Sequence, residues 1–165
     1  MDQVGPELIG RLLDEHGAAL ALYAGQWCQT PEDVVQEALL QLARQPHVPE
    51  KIVPWLYRVV RNGAISAGRT ARRRRSHEET AARQLDAWFE PTDDDRLDAA
   101  AAARCLESLP PDEREVIVAR LWGGLSFQEI GELIGISSSS AHRWYEAGLR
   151  ALRERLERNV FPRRS

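Results

Sequence analysis

Four consecutive serines, Ser137 to Ser140, are followed closely by His142 and Arg143. On a helix starting at Ser137 or Ser138, these residues set hydroxyls and a guanidinium on the first turns. Such groups reach phosphate and base edges and break no bonds, so the chemistry on offer is recognition of duplex DNA. The residues before them supply what a recognition helix needs. Ser126 with Glu129 three residues later is a capping box that opens a short helix. Gly135 ends it and tolerates the positive φ of a tight turn. Gly131 is the small residue that lets two helices approach. Ile130, Ile134, Ile136, Ala141 and Trp144 have the spacing to lock them together. The pattern is a helix-turn-helix, whose second helix lies in the major groove with its N-terminal residues at the base edges. Those residues are Ser138, Ser139, Ser140, His142 and Arg143, with Glu146 a turn further on. An ordinary helical hairpin, in which the glycine only ends a helix, is the competing reading.

Other chemistry finds no support. His16, His47, His77 and His142 are dispersed and form no metal-binding pair. Cys28 and Cys105 lie far apart, form no CxxC motif, and read as buried or half-buried thiols. No Ser/His/Asp arrangement or glycine-rich phosphate loop is defensible. No catalytic residue, metal or cofactor is therefore expected, and the protein is expected not to be an enzyme.

The elements around the motif are helical. No stretch alternates with period two for long enough to form a strand. Pro6 opens a first helix marked by Leu8, Ile9, Leu12, Leu13, Ala19 and Leu20. Thr30 reads as the N-cap of a second, with Pro31 at its first position and Glu32 and Asp33 complementing the dipole. Its apolar stripe is Val34, Val35, Ala38, Leu39 and Leu42, and it stops before Pro46. Residues 45–53 read as a loop. Pro54 then opens a third helix that buries Leu56, Val59, Val60 and Ile65 and runs into Arg69 and Arg72 to Arg75. Such a run also suits a helix C-terminus for the dipole alone.

From about Ser76 to Asp98 the pattern weakens into a linker, with room for a short helix near 82–89. A helix from Ala99 ends near Leu109, because Pro110 and Pro111 cannot continue it. Pro111 opens the next, which Gly123 and Gly124 end. Trp88 and Trp122 read as packing anchors and Asp93 to Asp95 as solvated linker.

The expected architecture is therefore all-α, with two small helical domains joined by an acidic linker: 1–76, 77–98 and 99–165. The 165 residues suit two small domains. Net charge is −3, which argues against indiscriminate nucleic-acid binding. Its distribution matters more: residues 77–104 carry 3 basic and 8 acidic residues, whereas 1–76 carry 10 and 8, and 105–165 carry 9 of each. Of 22 basic residues all but Lys51 are arginine, which favours bidentate contacts to phosphate. A GC-rich genome produces the same bias. No apolar run reaches the length of a membrane span, and the acidic start Met1–Glu7 lacks the features of a secretory signal, so a cytoplasmic location is expected.

With these residues in view, the chain resembles a known family. Residues 106–156 (LESLPPDEREVIVARLWGGLSFQEIGELIGISSSSAHRWYEAGLRALRERL) are similar to region 4 of bacterial sigma factors, in particular the short extracytoplasmic-function type. PEDVVQEALLQL at 31–42 resembles region 2.2. PWLYRVVRN at 54–62, followed by the basic run, resembles regions 2.3 and 2.4. The resemblance implies a factor that directs RNA polymerase core to promoters and assists melting. Asp33, Gln36 and Glu37 would then dock on the clamp helices of the polymerase's largest subunit. The 45–53 loop, Trp55, Tyr57, Arg58, Arg61 and Asn62 would open the −10 element. Aromatic surface suits unstacked bases and arginines track phosphates. Trp55 suits a core equally well, and Tyr57 suits a core better.

Arg69 and Arg72 to Arg75, Arg72 and Arg73 foremost, would meet backbone phosphate. The helix-turn-helix would read the −35 element. Polymerase core and promoter DNA are the implied partners, with an anti-sigma factor as a candidate third. Three departures stand out. Ser66 occupies a position where the family often has aspartate. The recognition helix is serine-rich, with Glu146 beside Arg143. The loop before Pro54 is shorter and less aromatic than the family's. Two other functions fit parts of the sequence. One is a response-regulator-type transcription factor with a similar DNA-binding domain. The other is a degenerate sigma-like protein-interaction module.

Overall fold

The computed structural model describes residues 4–77 and 104–160. The chain divides into two compact units, with the division falling in the stretch between those ranges. Among the described residues there are helices and no strand, as the apolar spacing predicts. The expected linker, the short helix near 82–89, the start of the helix at Ala99, Trp88 and Asp93 to Asp95 lie outside the described residues.

The first unit is a three-helix assembly of α1 (Pro6–Ala24), α2 (Pro31–Ala43) and α3 (Ile52–His77). All three pack on one another. Leu12, Leu20 and Tyr23 of α1, Val35, Leu39 and Leu42 of α2, and Leu56, Tyr57 and Val60 of α3 form the core. Their spacing within each helix is the i, i+3, i+4 pattern of a single buried face. Pro6 and Pro31 stand at the first turns of α1 and α2, where a missing N–H costs nothing.

Three expectations are corrected here. Thr30 precedes α2, but its side chain makes no capping hydrogen bond. Its φ of −124° and ψ of 55° lie outside the extended conformation of an ordinary N-cap. Helix α3 begins at Ile52 and not at Pro54. Pro54 thus falls at the third helical residue, where its absent N–H is still one of the unsatisfied donors of a first turn. Leu13, counted with the apolar stripe of α1, is 48% exposed.

The second unit contains a helical segment over 104–107 (α4), α5 (Pro111–Leu121), α6 (Phe127–Ile134) and α7 (Ser138–Val160). Leu106, Leu109 and Ile117 form a buried cluster on which Tyr145, Leu149 and Leu152 of α7 pack. Helix α5 passes close to α7 at Gly148, where an added Cβ would lie 2.6 Å from the Ile117 side chain. Trp122 is not the packing anchor expected of it. It follows the last residue of α5 and is 46% exposed, with Leu121 beside it 51% exposed. The α5 core is carried by the run Val116 to Ala119, all fully buried. The chain then turns through Gly124 at φ 65°.

Candidate nucleic-acid interface

The helix-turn-helix has the geometry its spacing predicts. Ser126 Oγ accepts from the Glu129 N–H at 3.1 Å, and Glu129 Oε2 accepts from the Ser126 N–H at 2.9 Å. This reciprocal pair satisfies two orphan donors of α6. Gly135 caps its other end at φ 87° and ψ 36°, in the left-handed region. Its N–H and that of Ile136 both return to the Gly131 carbonyl, at 2.8 and 2.9 Å. Gly131 allows the chain to double back, because a Cβ there would sit 2.6 Å from the Ile136 carbonyl oxygen. Ile130 and Ala141 are fully buried, and Ile134, Ile136 and Trp144 are half-buried.

Ser137 caps α7. Its hydroxyl accepts from the Ser140 N–H at 3.0 Å and donates to Ser140 Oγ at 2.9 Å. Ser140 Oγ also accepts from Arg143 Nη2 at 3.0 Å. The serine run is thus divided by role. Ser137 caps the helix and Ser140 orients Arg143, while Ser138 and Ser139 are exposed on the first turn. His142 and Arg143 are exposed too. The first turn of α7 carries no acidic residue, so its dipole favours an anion there. Glu146 Oε1 lies 3.7 Å from His142 Nε2, an ion pair when the imidazole is protonated. Phe127 supports this face from α6, edge-on to His142 at 4.9 Å and Tyr145 at 5.4 Å, with the Arg120 guanidinium 4.6 Å over its ring. Phe127 and Arg120 act through tertiary contacts that spacing along the chain did not single out.

The first unit offers two surfaces. On α2, Asp33, Gln36 and Glu37 are exposed on one face, which Leu40 extends at 50% exposure. Arg44 Nη1 approaches Glu37 Oε1 at 3.6 Å, but both side chains are well exposed, so the pair adds little stability. On α3, Trp55, Arg58, Asn62, Arg69, Arg72 and Arg73 follow one another at helical spacing along a single stripe. Trp55 is half-buried, and the others are exposed. Two residues grouped with them sit elsewhere. Arg61 is half-buried and stacks over Trp27 at 5.7 Å, and Tyr57 is fully buried edge-on to Tyr23 at 5.0 Å.

Of its two candidate roles, Tyr57 therefore takes the core one. Burial pushes its hydroxyl well above the usual range, so it stays protonated. That hydroxyl has no hydrogen-bond partner. Leaving a buried hydroxyl unsatisfied costs roughly 1–3 kcal/mol, so Tyr57→Phe should leave the protein as stable or more stable, by up to about 1 kcal/mol. Thermal unfolding checks this. A clear fall in stability would show that the hydroxyl is hydrogen-bonded, and loss of promoter melting at unchanged stability would return Tyr57 to the DNA surface.

One helical unit carries an exposed arginine stripe on α3, and the other carries a helix-turn-helix. Residues 12–74 match Sigma-70 region 2, and residues 99–152 match Sigma-70, region 4. The chain is 35% identical over 140 residues to the RNA polymerase sigma factor CarQ of Myxococcus xanthus, covering 78% of each protein. It is 28% identical over 134 residues to the probable RNA polymerase sigma factor RfaY of Xanthomonas campestris pv. campestris. That match covers 76% of this chain and 34% of RfaY.

The fold is similar to that of the sigma factor RpoE in complex with the anti-sigma factor NepR from Bartonella quintana, with TM-score 0.71 and 21% identity. The match covers 93% of this chain and 98% of that one. It is also similar to CnrH in complex with the cytosolic domain of CnrY, with TM-score 0.61 and 22% identity, covering 93% and 90%. The chain belongs to the sigma-70 family of RNA polymerase sigma factors, in its extracytoplasmic-function type. It is a promoter-directing factor.

Proposed function

We propose that the two units divide promoter recognition between them. In this reading the α7 face of Ser138, Ser139, His142 and Arg143 enters the major groove of the −35 element, with Ser140 holding Arg143 in place. The α3 stripe engages the −10 element. Trp55 and Asn62 meet the opened strand there, and Arg58, Arg69, Arg72 and Arg73 meet phosphate. Arg61 acts from beneath, by holding the α1–α2 corner. The acidic and amide face of α2, Asp33, Gln36 and Glu37, docks on a basic surface of polymerase core, the clamp helices of its largest subunit. Charge complementarity of this kind sets register and on-rate. The observation that carries the reading is the alignment of six chemically suited residues along one exposed stripe of α3, in a chain that also carries the capped helix-turn-helix.

The chemistry of RNA synthesis belongs to the polymerase, and this chain contributes binding and strand separation without catalysis. No helix among the described residues is long and apolar enough to cross a membrane, and we place the protein in the cytoplasm. Both similar structures are complexes with a protein partner, which in one of them is an anti-sigma factor. That supports an anti-sigma factor as the regulator of this chain as well.

Arg143 is the decisive test of −35 reading. Arg143→Ala should reduce transcription from a cognate promoter by about tenfold, the value of one good bidentate base contact. Binding to core should be unchanged. Run-off transcription beside a core pull-down separates the two effects. Unchanged transcription would remove Arg143 from the −35 contact set.

A further inference from the structure

Helix α7 presents Ser139, His142, Arg143 and Glu146 on one exposed face, at the i, i+3, i+4, i+7 spacing of a single stripe. Glu146 is the odd member. It is the one acidic residue between Ser138 and Leu149, and it lies among groups proposed to face DNA. A carboxylate there repels every phosphate it nears, so on affinity alone it is a cost.

Two cationic side chains stand four residues from Glu146 on α7, His142 before it and Arg150 after it. An ordinary helix-stabilising pair would turn Glu146 toward Arg150, because a glutamate four residues before a cation is the favoured order. The structure turns it the other way. Glu146 Oε1 lies 3.7 Å from His142 Nε2, with both side chains 55% exposed. That distance is too long for a hydrogen bond, so the contact steers the carboxylate without saturating its lone pairs. The steering group is itself held. Phe127 of α6 meets the His142 ring edge-on at 4.9 Å, and the Arg120 guanidinium of α5 lies 4.6 Å over Phe127. Arg120 is fixed in turn, donating from Nη1 to the Leu125 carbonyl at 2.9 Å. Contacts running from α5 through α6 thus aim Glu146 toward the N-terminal end of α7.

We infer that Glu146 is a specificity-determining residue of this face, its carboxylate accepting from the N4 amine of a cytosine in the major groove. The inference rests on the −35 reading of α7 and names one base within it. The chemistry singles out cytosine. An ionised carboxylate only accepts, and thymine O4 and guanine O6 and N7 are acceptors that repel it. Adenine offers its N6 amine but sets the N7 acceptor beside it. Cytosine alone among the four bases offers a donor and no acceptor of its own in that groove. The phosphate repulsion is then offset at the right base and left uncompensated at the other three.

A cognate promoter carried through every single-base change of its −35 element, and transcribed by the full chain with polymerase core, tests this. One position should favour cytosine over the other three bases by about tenfold or more. Glu146→Gln keeps the size of the side chain and gives it an amide, whose bidentate partner is adenine. Preference at that position should move from cytosine to adenine, with the other positions unchanged. Glu146→Ala should flatten it. Both variants fall on an exposed position, so the fold is not at stake.

A base profile that Glu146→Gln leaves unaltered overturns the inference. So does a uniform rise in transcription from every −35 variant in Glu146→Ala, the mark of a carboxylate that only repels phosphate. The two proposals fail separately. Loss of transcription in Arg143→Ala beside an unaltered Glu146→Gln profile overturns the cytosine contact alone. A wild-type chain indifferent to every change in the −35 element overturns both.

Discussion

Gly131→Ala will destabilise the second unit by about 1–2 kcal/mol and lower −35-dependent transcription by about tenfold. Two terms oppose each other at this position. Alanine is better than glycine within a helix by about 1 kcal/mol. Against that, the new Cβ would lie 2.6 Å from the Ile136 carbonyl oxygen and 3.3 Å from the Ser137 carbon and Ser138 nitrogen. All three are backbone atoms of the turn and of the first residues of α7, so no side chain can swing aside. Overpacking against fixed atoms costs roughly 1–3 kcal/mol, and the loss prevails. The displaced element is the N-terminus of α7, the part that carries the residues proposed to read the −35 element, so function should fall with stability.

A shift in midpoint of about 5–10 °C for the second unit is expected. Gly10→Ala supplies the matched control. Gly10 is exposed on α1, with nothing within 4 Å of an added Cβ, so there the propensity term acts alone. Stability should rise by about 0.5–1 kcal/mol. Equal effects at the two glycines would show that the α6–α7 turn has room to spare.

Gly68→Ala carries the second large effect, about 2 kcal/mol in the first unit. The added Cβ would run into the Trp27 carbonyl oxygen, again backbone. The α1–α2 corner must then move off α3, taking with it the edge-on packing of Trp27 on Tyr23 and the Arg61 stack. Gly63, on the side of the same helix that meets Val34 of α2, makes a useful contrast. A Cβ there would meet only Val34 Cγ1 at 3.2 Å, and that side chain can yield. Gly63→Ala should therefore be much milder. Thermal unfolding reads the stability, and permanganate reactivity of promoter thymines reads strand opening. Opening should fail in Gly68→Ala and persist in Gly63→Ala. Normal opening in Gly68→Ala would mean that the corner does not set the α3 surface.

The contrast between these glycines shows what the sequence makes legible. The helix-turn-helix is readable because its signals are local. Ser126 and Glu129 are three residues apart, Gly131 and Gly135 four, and each acts on its own turn. The apolar stripes of α2 and α3 are readable for the same reason. The fold itself follows from helical periodicity and proline placement. The approach of Gly68 to Trp27 is not legible, because nothing along the chain says that a glycine late in α3 will meet the corner after α1. Arg61 looks like its neighbours Arg58 and Asn62 until the fold sets it over Trp27.

Trp122 reads as an anchor by size alone, yet it follows the end of α5, where the adjacent Val116 to Ala119 already fill the core. Thr30 has the right residue type for a cap but not the backbone angles. The four serines look equivalent in sequence. Only the hydrogen bonds separate Ser137, which caps, and Ser140, which holds Arg143, from Ser138 and Ser139.

Reconstitution with purified bacterial RNA polymerase core, followed by run-off transcription on genomic fragments, tests the central claim most directly. The full chain should bind core stably and produce new, defined start sites that core alone does not use. Upstream of each should lie a pair of elements whose use fails separately, −35 reading falling about tenfold in Arg143→Ala and −10 opening failing in Gly68→Ala. Retention on duplex DNA without core, and no start sites with it, would contradict the account and return the chain to the class of helix-turn-helix regulators.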